Sequence, residues 1–175
     1  LTLDQEVAGS IPAPPANQHI RPSGRREHTA VELVTKKRLL LVAGRVHPEL
    51  ATEISERLGV PLGDVELASF PNGERHCRFG ESIRGADLFI LQTHDSVEGC
   101  SINDAIMEQL IMVDAARRAS AKRITVVAPF FGYSRQDRKA TGREPITAKL
   151  LANLFATAGA KRLVSIDLHS GQIQG

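Results

Sequence analysis

Two short stretches of this 175-residue sequence gather, away from any regular period, residues suited to gripping a phosphate or a metal ion. The first runs from Pro129 to Pro145 and reads PFFGYSRQDRKATGREP. Arg135, Arg138, Lys139 and Arg143 stand there against Asp137 and Glu144. A guanidinium stays charged and offers a planar fork of donors that matches a phosphate edge. Gly132 and Gly142 let the backbone bend around a ligand. A solvated charged loop has the same composition. Seventeen residues with no regular period are uncommon inside a compact domain, though, and such loops are often functional. Neither GxxxxGK[ST] nor a GxGxxG following an apolar run occurs, so the loop is not one of the common nucleotide fingerprints.

The second stretch, Asp167 to Gly175, reads DLHSGQIQG. Asp167 and His169 lie two apart, and in extended backbone such residues face the same side. One carboxylate and one imidazole can then approach the same ion. Magnesium prefers oxygen and keeps waters, which suits a phosphate-bridged site. The same pair equally suits a loop cap beside a packed imidazole, and spacing alone does not choose. A third group is Phe70-Pro71-Asn72-Gly73-Glu74, where Asn-Gly is a turn signal. Asn72 and Glu74 can hydrogen-bond a polar ligand, or they can simply shape the turn.

The elements needed to position these groups are readable from apolar periodicity. Arg38–Ala43, Val65–Phe70, Arg75–Phe79, Asp87–Gln92, Arg123–Ala128 and Arg162–Asp167 read as strands. Pro48–Leu58 reads as a helix with Leu50, Ile54 and Leu58 on one face, Pro48 in its first turn and Gly59 at its end. Asn103–Ser120 reads as the longest helix, with Ile106, Leu110, Val113 and Arg117 in helical register and Met107 and Ile111 widening the face. Ile146–Ala158 reads as another. Strands alternating with helices imply an α/β fold with a mostly parallel sheet flanked by helices, plus a hairpin at an edge. In such sheets ligands gather beyond the carboxyl ends of the strands, where both basic and DxH stretches fall. Residues 1–36, rich in Pro and Gly and without a period, read as a disordered extension, leaving 37–175 as one domain.

Composition narrows the function. The formal net charge is +2, from 22 basic and 20 acidic residues, which argues against a general nucleic-acid or membrane partner. Aromatics make up 4% and there is no Trp, too few for a base-stacking platform. No apolar run approaches a membrane span and no secretory layout is seen, which points to the cytoplasm. Cys77 and Cys100 lie in no metal-type spacing and read as reduced thiols.

SRQDRK (Ser134–Lys139), GREPITAKLLAN (Gly142–Asn153) and DLHSGQIQG resemble the corresponding stretches of ribose-phosphate diphosphokinases, also called phosphoribosyl diphosphate synthetases. INDAIMEQLIMVDA (Ile102–Ala115), ASAKRITVVAPFFGY (Ala119–Tyr133) and FPNGE agree in order and spacing, so the resemblance runs from about Leu39 to the last residue. It implies a phosphoribosyltransferase-like domain and a magnesium-dependent transferase of nucleotide biosynthesis. Such an enzyme moves the diphosphoryl group of ATP to C1 of ribose 5-phosphate. It also implies binding of ATP by Phe70, Asn72, Gly73 and Glu74, reached across a subunit interface, and by Arg135 and Gln136. His169 and Asp167 would serve the magnesium-nucleotide, and Ser82 and Arg84 a regulatory anion site. The family assembles as dimers and commonly hexamers. It carries a second domain with the catalytic flexible loop and the ribose-phosphate loop. No catalytic residue is therefore expected in this chain, and it is expected to be inactive alone. Asn72 stands where the family often has Asp, and Thr93–Ser101 departs from its usual short loop. A non-catalytic subunit associated with the synthetase is the alternative, although the retained Arg135, Gln136, Asp167 and His169 favour an enzyme lineage. A phosphoribosyltransferase would need an acidic pair followed by a small-residue phosphate loop, which does not occur before Gly175.

Overall fold

The structure, a computed structural model, describes residues 38–174. The expected disordered extension lies outside the described residues. Six strands and three helices follow in the order β1 (Leu39–Ala43), α1 (Pro48–Leu58), β2 (Val65–Ser69), β3 (Arg75–Phe79), β4 (Asp87–Leu91), α2 (Ile102–Arg118), β5 (Arg123–Val127), α3 (Thr147–Ala158) and β6 (Arg162–Val164), and a single 3₁₀ turn closes the described chain.

Four strands form a wholly parallel sheet in the order β1-β4-β5-β6. The central strands are apolar on both faces because helices cover both. On β4, Leu88 and Ile90 join the main core with Met112 and Val113 of α2 and Leu151 and Phe155 of α3. The alternate residues Phe89 and Leu91 pack with Leu41 and with Ala51 of α1. This is the two-residue period of a strand separating two layers.

The hairpin β2–β3 forms as expected, but as a separate two-stranded sheet and not at the edge of the parallel one. Its inward residues Val65, Leu67, Cys77 and Phe79 pack against the main core, over α2. α2 is thereby held between two sheets. That shifts its buried face from the expected stripe: Ala105, Ile106, Glu108, Gln109, Met112, Val113 and Ala116 are buried, while Met107 and Arg117 are exposed. α1 also departs from expectation. Leu50 and Leu58 are 36% and 62% exposed, and Ala51 is the buried contact. The helix lies against the edge strand β1, so only a narrow stripe meets the sheet. β6 stops at Val164, three residues short of the expected end, because the chain then turns to bond the backbone at Pro129. Among the described residues no helix is long and apolar enough to cross a membrane.

Candidate functional site

The basic loop leaves the carboxyl end of β5 and is fixed at its root. The Pro129 carbonyl accepts from the Ile166 and Asp167 amides at 3.1 and 3.0 Å, and Phe130 pairs with Asp167 in an isolated parallel bridge. The two loops implicated by sequence are thus joined where they begin. Neighbouring parallel strands deliver their carboxyl ends to one side of the sheet, which is why residues as far apart in sequence as Pro129 and Asp167 meet.

A buried histidine sets the next bend. His94, which follows β4, accepts from the Gly132 amide through Nδ1 at 3.0 Å. Its Nε2–H therefore donates to Gln109 Oε1 at 2.8 Å. The Gln109 amide donates in turn to the carbonyls of Ile90 and Val127, at the ends of β4 and β5. The imidazole stacks on Phe155 and leans on Phe131. Burial lowers its pKa, opposed by the hydrogen bond to Gln109. Gly132 is closely packed, since a Cβ there would lie 3.0 Å from the Ile106 side chain and 3.1 Å from His94 and would crowd both. Tyr133 then takes a left-handed conformation, φ 60°, and its hydroxyl donates to Asn103 in the first turn of α2.

Gln136 does two things at the start of α3. Its carbonyl accepts from the Ala148 amide at 3.2 Å, and its side chain accepts from the Thr147 hydroxyl. The residue preceding that helix supplies no side-chain cap, so Gln136 meets the need from outside. Both acids of the loop are engaged as well. Glu144 accepts from the Ala140 and Thr141 amides and the Thr141 hydroxyl, which hold its carboxyl below the usual range. Asp137 accepts from the Ser170 hydroxyl, and that bond lowers its pKa. By contrast Arg135, Arg138, Lys139 and Arg143 are exposed, and among the described residues none of them makes an ion pair or a side-chain hydrogen bond. The loop thus presents four unspent cations, with its anions turned to structural use.

Asp137, Arg138, His169, Ser170 and Gly171 line a cleft between the two loops. A more apolar cleft beside it is lined by Phe131, Ile146, Leu163, Leu168 and Ile173 among others. Asp167 and His169 are exposed. Among the described residues no group of three or more His, Cys, Asp and Glu gathers to cage a metal. Magnesium takes oxygen ligands and is commonly bound by one or two carboxylates with phosphates and waters, so the Asp167 carboxylate fits such an ion directly and the His169 imidazole fits it best through a bound water or phosphate.

The Phe70–Glu74 turn lines neither cleft. It is exposed, with Phe70 51% accessible and edge-on to His76. Gly73 has φ 91°, Phe70 and Glu74 close the turn through their backbones, and Asn72 Oδ1 accepts from the Glu74 amide. Ser82 and Arg84, also exposed, lie before β4, at the amino end of the sheet. There Arg38 donates to the Ser82 carbonyl at 2.6 Å and pairs with Glu81. Sequence reasoning missed His94, Gln109, Asn103 and Tyr133 as organisers of the basic loop. The available signal was a pair of polar residues, Glu108 and Gln109, inside an otherwise apolar helical face.

The chain matches the family model of the N-terminal domain of ribose phosphate pyrophosphokinase over residues 39–159. It is 50% identical over 147 residues to a ribose-phosphate pyrophosphokinase of Streptomyces avermitilis, covering 84% of this chain and 44% of that one. It is 53% identical over 139 residues to the Bifidobacterium longum enzyme of the same name, covering 79% and 40%. The crystal structure of phosphoribosylpyrophosphate synthetase from Mycobacterium smegmatis superposes with a TM-score of 0.75 at 53% identity, over 79% of this chain and 45% of that chain. The chain therefore spans less than half the length of the relatives it matches.

Proposed function

Since the chain belongs to the ribose-phosphate pyrophosphokinase family, we propose that it forms the nucleotide-binding half of such an enzyme, with residues 37–175 as one domain. ATP donates its β,γ-diphosphoryl group to ribose 5-phosphate. The C1 hydroxyl oxygen bonds to Pβ with loss of its proton, the bond from Pβ to the α,β-bridging oxygen breaks, and AMP leaves with that oxygen. The observation that carries this reading is the set of four unspent cations in the loop after β5, beside a cleft that also holds His169. Charge on a polyphosphate is neutralised best by donors that owe nothing to other partners.

In this reading Arg135 contacts the phosphates of ATP, and Gln136 borders the nucleotide while it also moors α3. His169 and Asp167 complete the coordination of magnesium, which lowers the charge on the polyphosphate when bound. Phe70 stacks on adenine, with Asn72, Gly73 and Glu74 hydrogen-bonding its edge. Because the turn lines neither cleft, it serves a nucleotide bound by a second copy of the chain, which accords with a homo-oligomer working in the cytoplasm. Ser82 and Arg84, at the opposite end of the strands, form a separate anion site.

Calorimetry of Mg·ATP binding tests the half-site, on the parent and on Arg135→Ala and His169→Ala. A charged hydrogen bond is worth about 1.5–3 kcal/mol, so each variant is expected to bind about 10- to 100-fold more weakly. Parent-like affinity in Arg135→Ala would overturn the assignment of the loop. If the parent itself fails to bind, the site needs more than this chain.

A further inference from the structure

Among the described residues, the side-chain tethers that reach the Phe70–Glu74 turn from the body of the domain end at its two base residues, Ser69 and Arg75. Ser69 and Arg75 are Cα partners, the last residue of β2 and the first of β3. The Arg75 side chain is only 6% exposed. Its Nη1 donates to Ser69 Oγ at 2.6 Å and its Nη2 to the Gly99 carbonyl at 3.3 Å, and Nη2 forms an ion pair with Asp104 Oδ1 at 3.1 Å. Arg45, just past the carboxyl end of β1, donates from Nη1 to the same Ser69 hydroxyl at 3.0 Å. Arg45 is itself held by buried Glu108 through Nε at 2.5 Å and through its backbone amide at 3.1 Å. Two guanidiniums thus converge on one hydroxyl. Their charges are balanced by Asp104 and Glu108, one helical turn apart on α2.

This is an expensive arrangement for a hairpin that already has an apolar underside. Arg75 Nε and Arg45 Nη2 are buried without a partner, and a buried charge is tolerated only where its remaining bonds are good. Val65, Leu67, Cys77 and Phe79 already pack the hairpin against the core. What apolar contacts do not fix is the angle and height of the turn. The guanidinium pair does, by indexing Ser69 to the end of β1 and to the first turns of α2. The neighbouring residue Asn103 accepts from Tyr133 of the basic loop, so one end of one helix references both the phosphate-side loop of this chain's own nucleotide and the turn offered to a second copy's.

We infer that Arg75, with Arg45 and Ser69, is a positioning group for base recognition: it sets the adenine-binding turn in place without touching the nucleotide. The inference rests on the reading of Phe70–Glu74 as the base-binding turn. Its signature is selective. Loss of the clamp weakens the grip on adenine and leaves the grip on phosphates intact.

The test compares Mg·ATP with Mg·tripolyphosphate, which has the phosphates and no base, by calorimetry on the chain, on Arg75→Met and on Ser69→Ala. The Met keeps the packed stem. The Ala removes the shared hydroxyl and strips no charge from its partner, so at least one variant stays folded by circular dichroism. The parent is expected to prefer ATP. In each folded variant that preference should fall about three- to tenfold, the scale of one lost hydrogen bond, with tripolyphosphate affinity unchanged. An unchanged preference in a folded variant overturns the inference, and so does an equal loss for both ligands, which would mark a merely structural clamp. All samples are held at a concentration where the chain self-associates by analytical ultracentrifugation, so that the turn can reach a neighbouring copy's nucleotide; if the parent then does not distinguish the two ligands, the turn does not bind adenine, and the reading beneath the inference fails with it.

Discussion

His94 commits both ring nitrogens to holding other groups, accepting from the Gly132 amide and donating to Gln109. Protonation would turn the acceptor nitrogen into a second donor aimed at an N–H. Burial disfavours that charge and lowers the pKa from 6.5. The unfolded chain therefore takes up this proton first. The stability tied to the neutral ring is full above about pH 6.5 and declines below it, until the folded pKa is reached. Urea unfolding at pH 7.5 and 5.5 should show the parent weaker at the lower pH. His94→Phe strands the Gly132 amide and the Gln109 carbonyl, at about 1–3 kcal/mol each. It should be less stable at pH 7.5 and show a shallower pH dependence. An equal slope in the two proteins would remove His94 from the account. Residues such as Arg135 and His169 were legible as chemistry because their types and spacing are local. His94 was not, since its partners come from α2 and from the loop after the next strand, and only the fold brings them together.

At the scale of elements, α2 is the piece on which both candidate walls depend. Its N-terminus carries a complete capping box: the Ser101 hydroxyl accepts from the Asp104 amide, and Asp104 accepts from the Ser101 amide at 2.9 Å. The hydrogen bonds from Ser101, followed by that from Arg75, bring the Asp104 pKa down from 3.8 to about 2. A lowered carboxylate pKa gives stability that is complete above pH 4 or so and lost as pH falls toward 2. Ser101→Ala should cost about 1 kcal/mol and lower the melting temperature by about 3–5 °C at neutral pH. It should also shift acid unfolding, followed by circular dichroism, because Asp104 loses a principal cause of its low pKa. A melting temperature equal to the parent's would mean that Arg75 alone secures this helix end. The strands and helices themselves were readable from apolar runs, α1 and β3 with their ends as expected and the others with at least one end displaced by one to three residues. The sequence did not reveal which face of α2 is buried. A single apolar stripe assumes one neighbouring layer. Here the hairpin adds a second, and Glu108 and Gln109 are drawn inside with partners waiting for them.

At the scale of the molecule, the proposed function makes the two loops after β5 and β6 one side of a site. The cleft of Asp137, Arg138, His169, Ser170 and Gly171 offers donors for a polyphosphate. The cleft beside it is mainly apolar and adds a single cation, Lys149, with Asn153. Transfer between two bound substrates draws its advantage from holding both in line, and a group that captures only one forfeits most of it. The relatives are more than twice as long as the stretch this chain matches, which leaves ample length there for the second wall. The 175-residue chain supplied with magnesium, ATP and ribose 5-phosphate is therefore expected to bind nucleotide and to release no AMP above the uncatalysed background. Chromatographic assay of AMP and phosphoribosyl diphosphate, run beside calorimetry on the same sample, separates the two properties. Binding without product fits a half-site awaiting its partner surface. Sustained formation of both products, lost in Arg135→Ala, would show that the loops after β5 and β6 suffice for both substrates. The sugar phosphate would then have to share the unspent cations of residues 135–143 with the nucleotide.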